Sequence, residues 1–254
     1  MVCRQALCAA VLMTAAFALQ AQQRDELDLS QLEIPAPSSE PTVPYFSLGG
    51  GFVGMFLLPR LDALNQKTQQ WELGTFSRPI FLSGIEGVVT IGVIPNLRIG
   101  IFGASGGKQL EKTVAADTQR QAEFSLGATG LSVAYAFVPT RSVAILPTLA
   151  GGWGTLRLEL AQSPSQTRWE ELRPGLGAST SLQRLNASYL FLHPQLYIEY
   201  APLPFLLLRL GGGYQFSFVG QWKQNRIATV EGVPSGVNAS GASAQFAIFV
   251  GLFN

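Results

Sequence analysis

The sequence predicts an all-β chain folded as a closed antiparallel up-and-down barrel of about eight strands. Three observations support this fold class. From Tyr45 onward, apolar residues alternate with polar or small ones at a period of two. Short and long connections alternate between the candidate strands. Charged residues are only 13% of the chain, and no stretch beyond the N-terminus is long and apolar enough to cross a bilayer as a helix.

The first residues have the pattern of a secretory signal peptide. Arg4 precedes an apolar segment, Ala6–Leu19, which is followed by small residues that allow cleavage after Ala18 or Ala21. We therefore expect a signal peptide over residues 1–21 and a mature chain outside the cytoplasm.

The two cysteines, Cys3 and Cys8, both fall within this signal. A lipoprotein signal acylated at Cys8 is the weaker alternative, because too little apolar sequence precedes that residue. The mature chain then has no cysteine, and this excludes disulfide bonds and thiolate chemistry.

Residues 22–44 are acidic and rich in proline and serine, with too few apolar side chains to fold alone. We expect a flexible periplasmic segment here, with a docking peptide as the alternative. The barrel is expected over residues 45–254.

The period of two separates an apolar face from a polar one along the candidate strands. In residues 206–222 the even positions carry Leu206, Leu208, Leu210, Tyr214, Phe216, Phe218 and Trp222. The odd positions carry mainly polar or small residues, among them Arg209, Gly211, Gly213, Gln215 and Ser217. We therefore expect Leu208 and Phe216 to face lipid and Gln215 to face the lumen. A soluble β-sandwich shows the same alternation, so the pattern alone does not decide.

The lengths of the connections favour a membrane barrel. Candidate strands lie at residues 45–58, 80–94, 97–105, 122–138, 142–161, 185–201, 204–221 and 243–254. Short connections at 94–96, 139–141 and 201–203 alternate with long polar ones at 59–79, 105–121, 162–184 and 221–241. Short periplasmic turns, long extracellular loops and an even strand number are typical of outer-membrane barrels.

Two candidate strands change their apolar parity part-way along. The apolar positions move from even to odd in residues 122–137 and from odd to even in residues 142–160. One extra residue flips every later side chain to the other face. We therefore expect β-bulges near Gly127–Gly130 and Pro147–Gly152.

The last strand indicates how the barrel closes. In hydrocarbon every backbone amide needs a partner, so the last strand has to pair with the first. Phe246, Ile248, Val250 and Leu252 keep one parity up to the chain end. With this topology and terminal alternation, residues 45–254 resemble the small outer-membrane barrels typified by outer membrane proteins A and X. In that family the last strand usually ends in an aromatic residue, whereas this chain ends in Asn254, with Phe253 one place early.

The resemblance implies a bacterial outer-membrane location. We expect a monomer that contacts outer-membrane lipid and the barrel-assembly machinery, with an extracellular ligand that the sequence does not identify. The formal net charge of +1 shows no excess that would attract nucleic acid.

Motifs for cofactors are absent in their usual context. Gly49–Gly54 matches the spacing of a dinucleotide-binding loop, but no strand precedes it and no helix pattern follows, which favours a glycine-rich strand. Gly107 and Lys108 precede Gln109 rather than Ser or Thr, so there is no phosphate-binding loop. The chain has no His and Cys cluster for a metal, and we expect no cofactor.

His193 is the only histidine and the one candidate for catalysis. Some small outer-membrane barrels hydrolyse or transfer lipid A acyl chains with such residues. His193 shares a strand face with Gln195 and Glu199, but Glu199 lies six residues away, which is ~20 Å along a strand. This distance favours a buried, hydrogen-bonded histidine in the lumen.

Ionisable residues of both signs fall on the predicted lumen face. They are Glu86, Arg98, Arg157, Glu159, His193, Glu199 and Arg209. The interior of an eight-stranded barrel is just wide enough for side chains to fill it, so we expect these residues to form a neutralising polar core.

The function that these features favour is a non-enzymatic outer-membrane barrel with a structural, adhesion or surface-binding role through its long loops. An outer-membrane lipid-modifying enzyme that depends on His193 is the alternative. A narrow pore is a third, but it needs more strands than the sequence predicts.

Overall fold

The computed structural model describes residues 45–115, 118–164, 181–234 and 236–254. The predicted signal peptide and periplasmic segment, residues 1–44, lie outside them. Eight long strands form the barrel: β1 Ser47–Pro59, β2 Ile80–Thr90, β3 Leu97–Ala115, β4 Thr118–Tyr135, β6 Val143–Pro164, β7 Ser181–Leu203, β8 Leu206–Val219 and β11 Gly241–Phe253. Three short strands and one helix complete the described elements: β5 Phe137–Thr140, β9 Lys223–Gln224, β10 Ala228–Thr229 and α1 Asp62–Gln70.

The eight long strands close into a ring. Each pairs antiparallel with its neighbour along the chain, and β11 pairs with β1 from Ser47↔Phe253 to Pro59↔Gly241. The closed antiparallel barrel predicted from the sequence is thus confirmed. Tight connections join β2 to β3, β4 to β6 and β7 to β8 at one end, which we call the turn end. We call the opposite end the loop end.

The register around the ring fixes the tilt of the strands. Stepping across paired residues from Tyr200 of β7 leads through Leu208, Ile248, Phe52, Ile85, Gly103, Thr129 and Trp153 back to Leu190 of β7. The path returns ten residues along the strand from its start at Tyr200. With a rise of ~3.3 Å per residue and strands ~4.8 Å apart, this stagger gives a tilt of about 40°.

The predicted alternation separates the outside of the barrel from its interior. On β8, Leu208 and Phe216 are exposed on the outside, while Gln215 is buried inside. On the same strand, Leu207 and Arg209 are also buried. The period of two therefore assigned the faces correctly within β8. Trp222, which the sequence placed on the same apolar face, instead lies beyond the end of β8 and is buried in the apolar cluster at the loop end.

The two predicted β-bulges are absent. β4 pairs with β6 without a register shift from Thr118↔Pro164 to Ala134↔Thr148. The side chains at even positions point inward along the full length of both β4 and β6. The apolar parity changes because the interior becomes apolar toward the loop end, while the exterior there becomes polar. The environment changes along the strand, and the backbone continues without an extra residue.

Four strands continue beyond the other four at the loop end. β3 and β4 stay paired up to Ala115↔Thr118, and β6 and β7 up to Gln162↔Ser181. We call residues 106–115, 118–125, 157–164 and 181–187 the extension wall. Residues 105–115 and 118–121 of the first connection predicted as a long loop, and residues 162–164 and 181–184 of the second, are therefore β-sheet.

The segment between β1 and β2, residues 60–79, packs against the interior at the loop end. Leu61 and Leu64 join an apolar cluster that includes Phe76, Phe124 and Leu158. Side-chain hydrogen bonds hold this segment together. Its end is fixed by Asn65, whose Oδ1 accepts from the Phe76 amide at 2.8 Å and whose Nδ2 donates to the Phe76 carbonyl at 3.2 Å. The predicted polar loop thus contains the helix α1 and forms an apolar plug.

Within the described ranges, no helix is long and apolar enough to span a membrane.

Candidate functional site

Two ion pairs lie inside the barrel, in the half nearer the turn end. Arg209 donates through Nη1 to Glu86 Oε1 at 3.0 Å, and its Nη2 contacts the second carboxylate oxygen, so this pair is bidentate. Arg98 contacts Glu199, and the Tyr45 hydroxyl donates to the same carboxylate at 2.7 Å. All four charged side chains are buried. Two cations therefore face two carboxylates, and their charges offset one another.

Two aromatic rings hold Arg209 in place. Its guanidinium carbon lies 4.4 Å from the centre of the Tyr197 ring and 4.7 Å from that of Phe249. A guanidinium stacks well on aromatic faces and keeps its planar donors directed at a carboxylate. Its Nε forms no hydrogen bond with the described residues. The rings and the carboxylate of Glu86 together fix the position of this charge in the interior.

Five of the seven predicted lumen residues lie in the barrel interior. Glu86, Arg98, His193, Glu199 and Arg209 are between 1% and 6% exposed. The structure brings four of them together as the two ion pairs. His193 belongs to a separate group of neutral side chains.

The other two, Arg157 and Glu159, lie on the outer face of the extension wall, which corrects their predicted lumen position. β6 keeps its even positions inward, so Leu156 and Leu158 are buried and the odd positions point outward. Glu159 accepts a hydrogen bond from Arg184 Nε at 2.6 Å, and this bond raises the pKa of Arg184 above its ordinary value. Beyond the apolar part of the exterior, water replaces lipid, and charged residues can point outward.

His193 lies next to a hydroxyl rather than a carboxylate. Its Nε2 is 2.7 Å from Ser243 Oγ on β11. The Gln195 amide nitrogen lies 2.7 Å from Nδ1 and 3.1 Å from Nε2. Glu199, which shares the strand face, contacts Arg98 instead. The pair of His193 and Ser243 has the distance of a base and a nucleophile but lacks an orienting carboxylate.

Neutral side chains contact both ring nitrogens of His193. Ser243 Oγ lies beside Nε2, the Gln195 amide lies beside Nδ1, and the Tyr197 hydroxyl contacts the same amide. His193 therefore belongs to a hydrogen-bonded group of neutral side chains in the interior.

The interior beside His193 has almost no free space. A cavity of about 20 Å³ lies between His193, Glu86, Gln215 and their neighbours. This volume suits a single water molecule and is far too small for a lipid chain. A second cavity of about 20 Å³ lies at the turn end beside Tyr45. Among the described residues, no group of three His, Cys, Asp or Glu side chains is placed to hold a metal.

Several interior residues were not identified from the sequence. All are buried, and all but the first occupy inward odd positions of β7 or β11, while the first lies just before β1: Tyr45, Tyr197, Ser243, Gln245 and Phe249. Strand parity carried the signal for each one. The sequence contained no signal for their hydrogen-bond partners. For example, the Tyr197 hydroxyl donates to Gln245 Oε1 at 2.8 Å, although the two residues are 48 positions apart in the sequence.

The exterior is strongly apolar around the ring. Six outward side chains on six different strands are between 43% and 73% exposed: Phe52, Ile85, Leu131, Trp153, Leu190 and Leu210. Soluble monomers rarely expose continuous apolar surface on this scale, and a bilayer covers it. Tight turns at one end and long connections at the other complete the pattern. The barrel is of the outer-membrane type.

Comparisons with known proteins find similar barrels among solved structures. Ail, the attachment invasion locus protein of Yersinia pestis, is 8% identical, with a TM-score of 0.37 over 83% of this chain and 99% of its own. Neisserial surface protein A is 15% identical, with a TM-score of 0.40 over 81% and 96%. A major outer membrane protein from Thermus thermophilus is 11% identical, with a TM-score of 0.44 over 80% and 98%. No family model and no curated protein sequence matches this chain. At these values the likeness assigns no function, and the closed barrel is established by its own strand pairing.

Proposed function

We propose that this protein is a non-enzymatic barrel of the bacterial outer membrane whose loop end faces the exterior and serves in surface binding or adhesion. The observation that carries the proposal is the filled interior. Two neutralised ion pairs occupy the half near the turn end, and an apolar cluster with Leu57, Phe124 and Tyr189 occupies the loop end. The molecule then offers its extension wall and loops, rather than its lumen, for recognition.

The filled interior also argues against a pore. Eight strands leave room only for side chains, and the interior cavities beside His193 and Tyr45 are each about 20 Å³. A purified barrel in a planar bilayer is expected to give no steady ion current.

A lipid-modifying enzyme is the second candidate, and the short distance between His193 and Ser243 favours it. Three features oppose it. The pair is buried, the nearest carboxylates are held by arginines, and the cavity cannot admit an acyl chain. We therefore rank the enzyme below the surface barrel.

Substitution of His193 separates the two functions. His193→Gln keeps a hydrogen-bonding side chain of similar reach, so the free energy of unfolding should change by only about 1 kcal/mol. Loss of a general base would lower a reaction rate by about 10²–10⁴-fold. Mass spectrometry of lipid A from cells with wild type, variant or neither barrel measures acylation. We expect the same lipid A in all three. A change made by wild type and lost in a folded variant would contradict the surface-barrel proposal.

The proposal includes the partners expected from the sequence. The barrel contacts outer-membrane lipid through its apolar exterior, is inserted by the barrel-assembly machinery and acts as a monomer. Size measurement of the detergent-solubilised barrel by light scattering tests the monomer.

A further inference from the structure

A cleft opens at the tip of the extension wall, on its inner face. The residues after α1 form one side of it, with Trp71 and Leu73. Inward side chains of the wall form the other side, with Arg120, Leu160 and Gln183. The cleft has a volume of about 190 Å³, almost ten times that of the cavity beside His193. It lies beside the apolar plug, which forms one of its sides, and it shares no lining residue with the buried polar core.

Arg120 is held across this cleft by two hydrogen bonds. Its Nε donates to Gln162 Oε1 at 3.0 Å, and its Nη1 donates to the Trp71 carbonyl oxygen at 3.4 Å. Neither of these two hydrogen bonds uses Nη2. The Arg120 side chain is only partly buried, so the guanidinium presents a fixed edge to solvent within the cleft. Fixing the side chain in advance lowers the entropy lost when an anion binds.

The other lining groups fit a sugar ring. Trp71 offers an aromatic surface, and Leu160 extends the apolar side. Around them, the amides of Gln162 and Gln183 and the hydroxyl of Ser181 provide both donors and acceptors. A pyranose has C–H faces that pack on an indole and hydroxyl groups that pair with amides.

We propose that this cleft binds a sugar residue that carries a carboxylate. The ring packs on Trp71, and the carboxylate pairs with the free edge of Arg120, because a guanidinium matches carboxylate geometry better than a neutral donor does. This inference rests on the proposed surface-binding role and names its ligand class. The carboxylated sugar can come from a soluble glycan or from the lipopolysaccharide beside the barrel.

The test compares an acidic with a neutral sugar. The full barrel, refolded in detergent without lipopolysaccharide, is titrated by calorimetry with methyl glucuronide and with methyl glucoside. We expect about millimolar affinity for the glucuronide, the range for a ligand of this size, and at least tenfold weaker binding of the glucoside. Equal affinity for both sugars, or no binding of the glucuronide, would overturn the inference.

Three variants and a matched control locate the site. Arg120→Gln should lose the preference for the glucuronide, Arg120→Lys should keep part of it, and Trp71→Leu should weaken both sugars. The control is Arg157→Gln, because Arg157 lies on the outer face of the same wall, and it should bind as wild type does. Heat-modifiable gel mobility reports whether each barrel is folded. If Arg157→Gln lowers affinity as much as Arg120→Gln, binding reflects general charge and the cleft is the wrong site.

A competition experiment identifies the source of the sugar. Lipopolysaccharide with carboxylated core sugars and a soluble glucuronate oligosaccharide are each added to the glucuronide complex. The better competitor names the source, and failure of both to compete would contradict the inference. If no carboxylated sugar binds, but the barrel is closed and the extension wall is accessible on intact cells, the proposed surface function still stands. If the extension wall is not accessible on intact cells, both the proposed function and the sugar site are contradicted.

Discussion

In the half of the barrel near the turn end, buried ion pairs fill the interior, and two aromatic rings pack on the guanidinium of Arg209. Arg209 and Glu86 come from strands that are far apart in sequence, and Tyr197 and Phe249 enclose the guanidinium. Removing water from such groups is costly, and their mutual attraction offsets the cost only while both partners are present. This ion pair therefore stabilises the barrel only when both charged side chains are present.

Breaking one of these pairs tests that dependence. Glu86→Gln leaves Arg209 buried without a counter-charge and should cost about 3–5 kcal/mol of unfolding free energy. Urea unfolding of the barrel in lipid vesicles measures the change. The double variant Glu86→Gln with Arg209→Met removes both charges and should recover much of the loss. A double variant as unstable as the single one would show that the charges are not coupled.

For individual residues, the sequence predicted which side chains lie inside the barrel better than it predicted their ion-pair and hydrogen-bond partners. Strand parity placed Glu86, Arg98 and Arg209 inside because each lies on a half-apolar strand within the membrane. The same parity failed at Arg157 and Glu159, because parity does not show where lipid ends along a long strand. Partners could not be predicted, since hydrogen bonds across the ring depend on the stagger of all eight strands.

The elements of the loop end form a small core outside the membrane part of the barrel. In α1 only Leu64 and Thr68 are buried: Leu64 joins the apolar cluster at the loop end, and the Thr68 hydroxyl donates to the Gly74 carbonyl oxygen at 2.7 Å. A helix of nine residues is unstable alone in water, so its order depends on this packing.

Shortening Leu64 tests the plug. Leu64→Ala removes a side chain that is 3% exposed and should cost about 2–5 kcal/mol locally. Hydrogen exchange should speed up across residues 60–79 while β1 and β2 keep their protection. Gln66→Ala, at an exposed position of the same helix, is the control and should change little. Faster exchange throughout the barrel would show that the plug and the barrel unfold together.

Protease on intact cells tests which end faces outward. Arg141 lies in the tight connection between β5 and β6 at the turn end and should resist trypsin until the cells are opened. Lys112 falls within the connection 105–121 that the sequence predicted as a loop, but it pairs with Arg120 within the wall, so its cleavage should be slow. Arg168 belongs to the predicted long connection 162–184 and lies outside the described residues, and we expect trypsin to cut after it on intact cells. Cleavage at Arg141 from outside would reverse the orientation.

The connections show what the sequence could and could not predict at the element scale. Turn residues such as Pro95 and Asn96 located the tight connections, and Asn96 takes the positive φ of 63° that a turn requires. The extension wall was not predicted because its strand residues at 106–115 and 118–121 are largely polar and resemble a loop in composition. Strand pairing there depends on the neighbouring chain segment, which local composition does not contain.

The polarity of the outward-facing residues changes with position along the barrel axis. On β7 the outward apolar positions run from Leu190 to Tyr200. Ten residues at ~3.3 Å each and a tilt of about 40° give a band ~25 Å tall, which matches the apolar band of outer-membrane barrels. Beyond this band the outward residues become polar at Ser188 and Asn186. The same change of surroundings explains the apolar plug inside and the charged wall outside.

Spin labels on β7 test this central claim most directly. The described residues contain no cysteine, so a nitroxide can be attached at single cysteines replacing Leu190, Leu192, Leu196, Ile198, Asn186 or Arg184. In vesicles, labels at the four apolar positions should be more accessible to oxygen than to a water-soluble nickel chelate. The order should reverse at Asn186 and Arg184. Equal access of the nickel chelate to all six positions would contradict a barrel that spans the membrane with its extension wall in water.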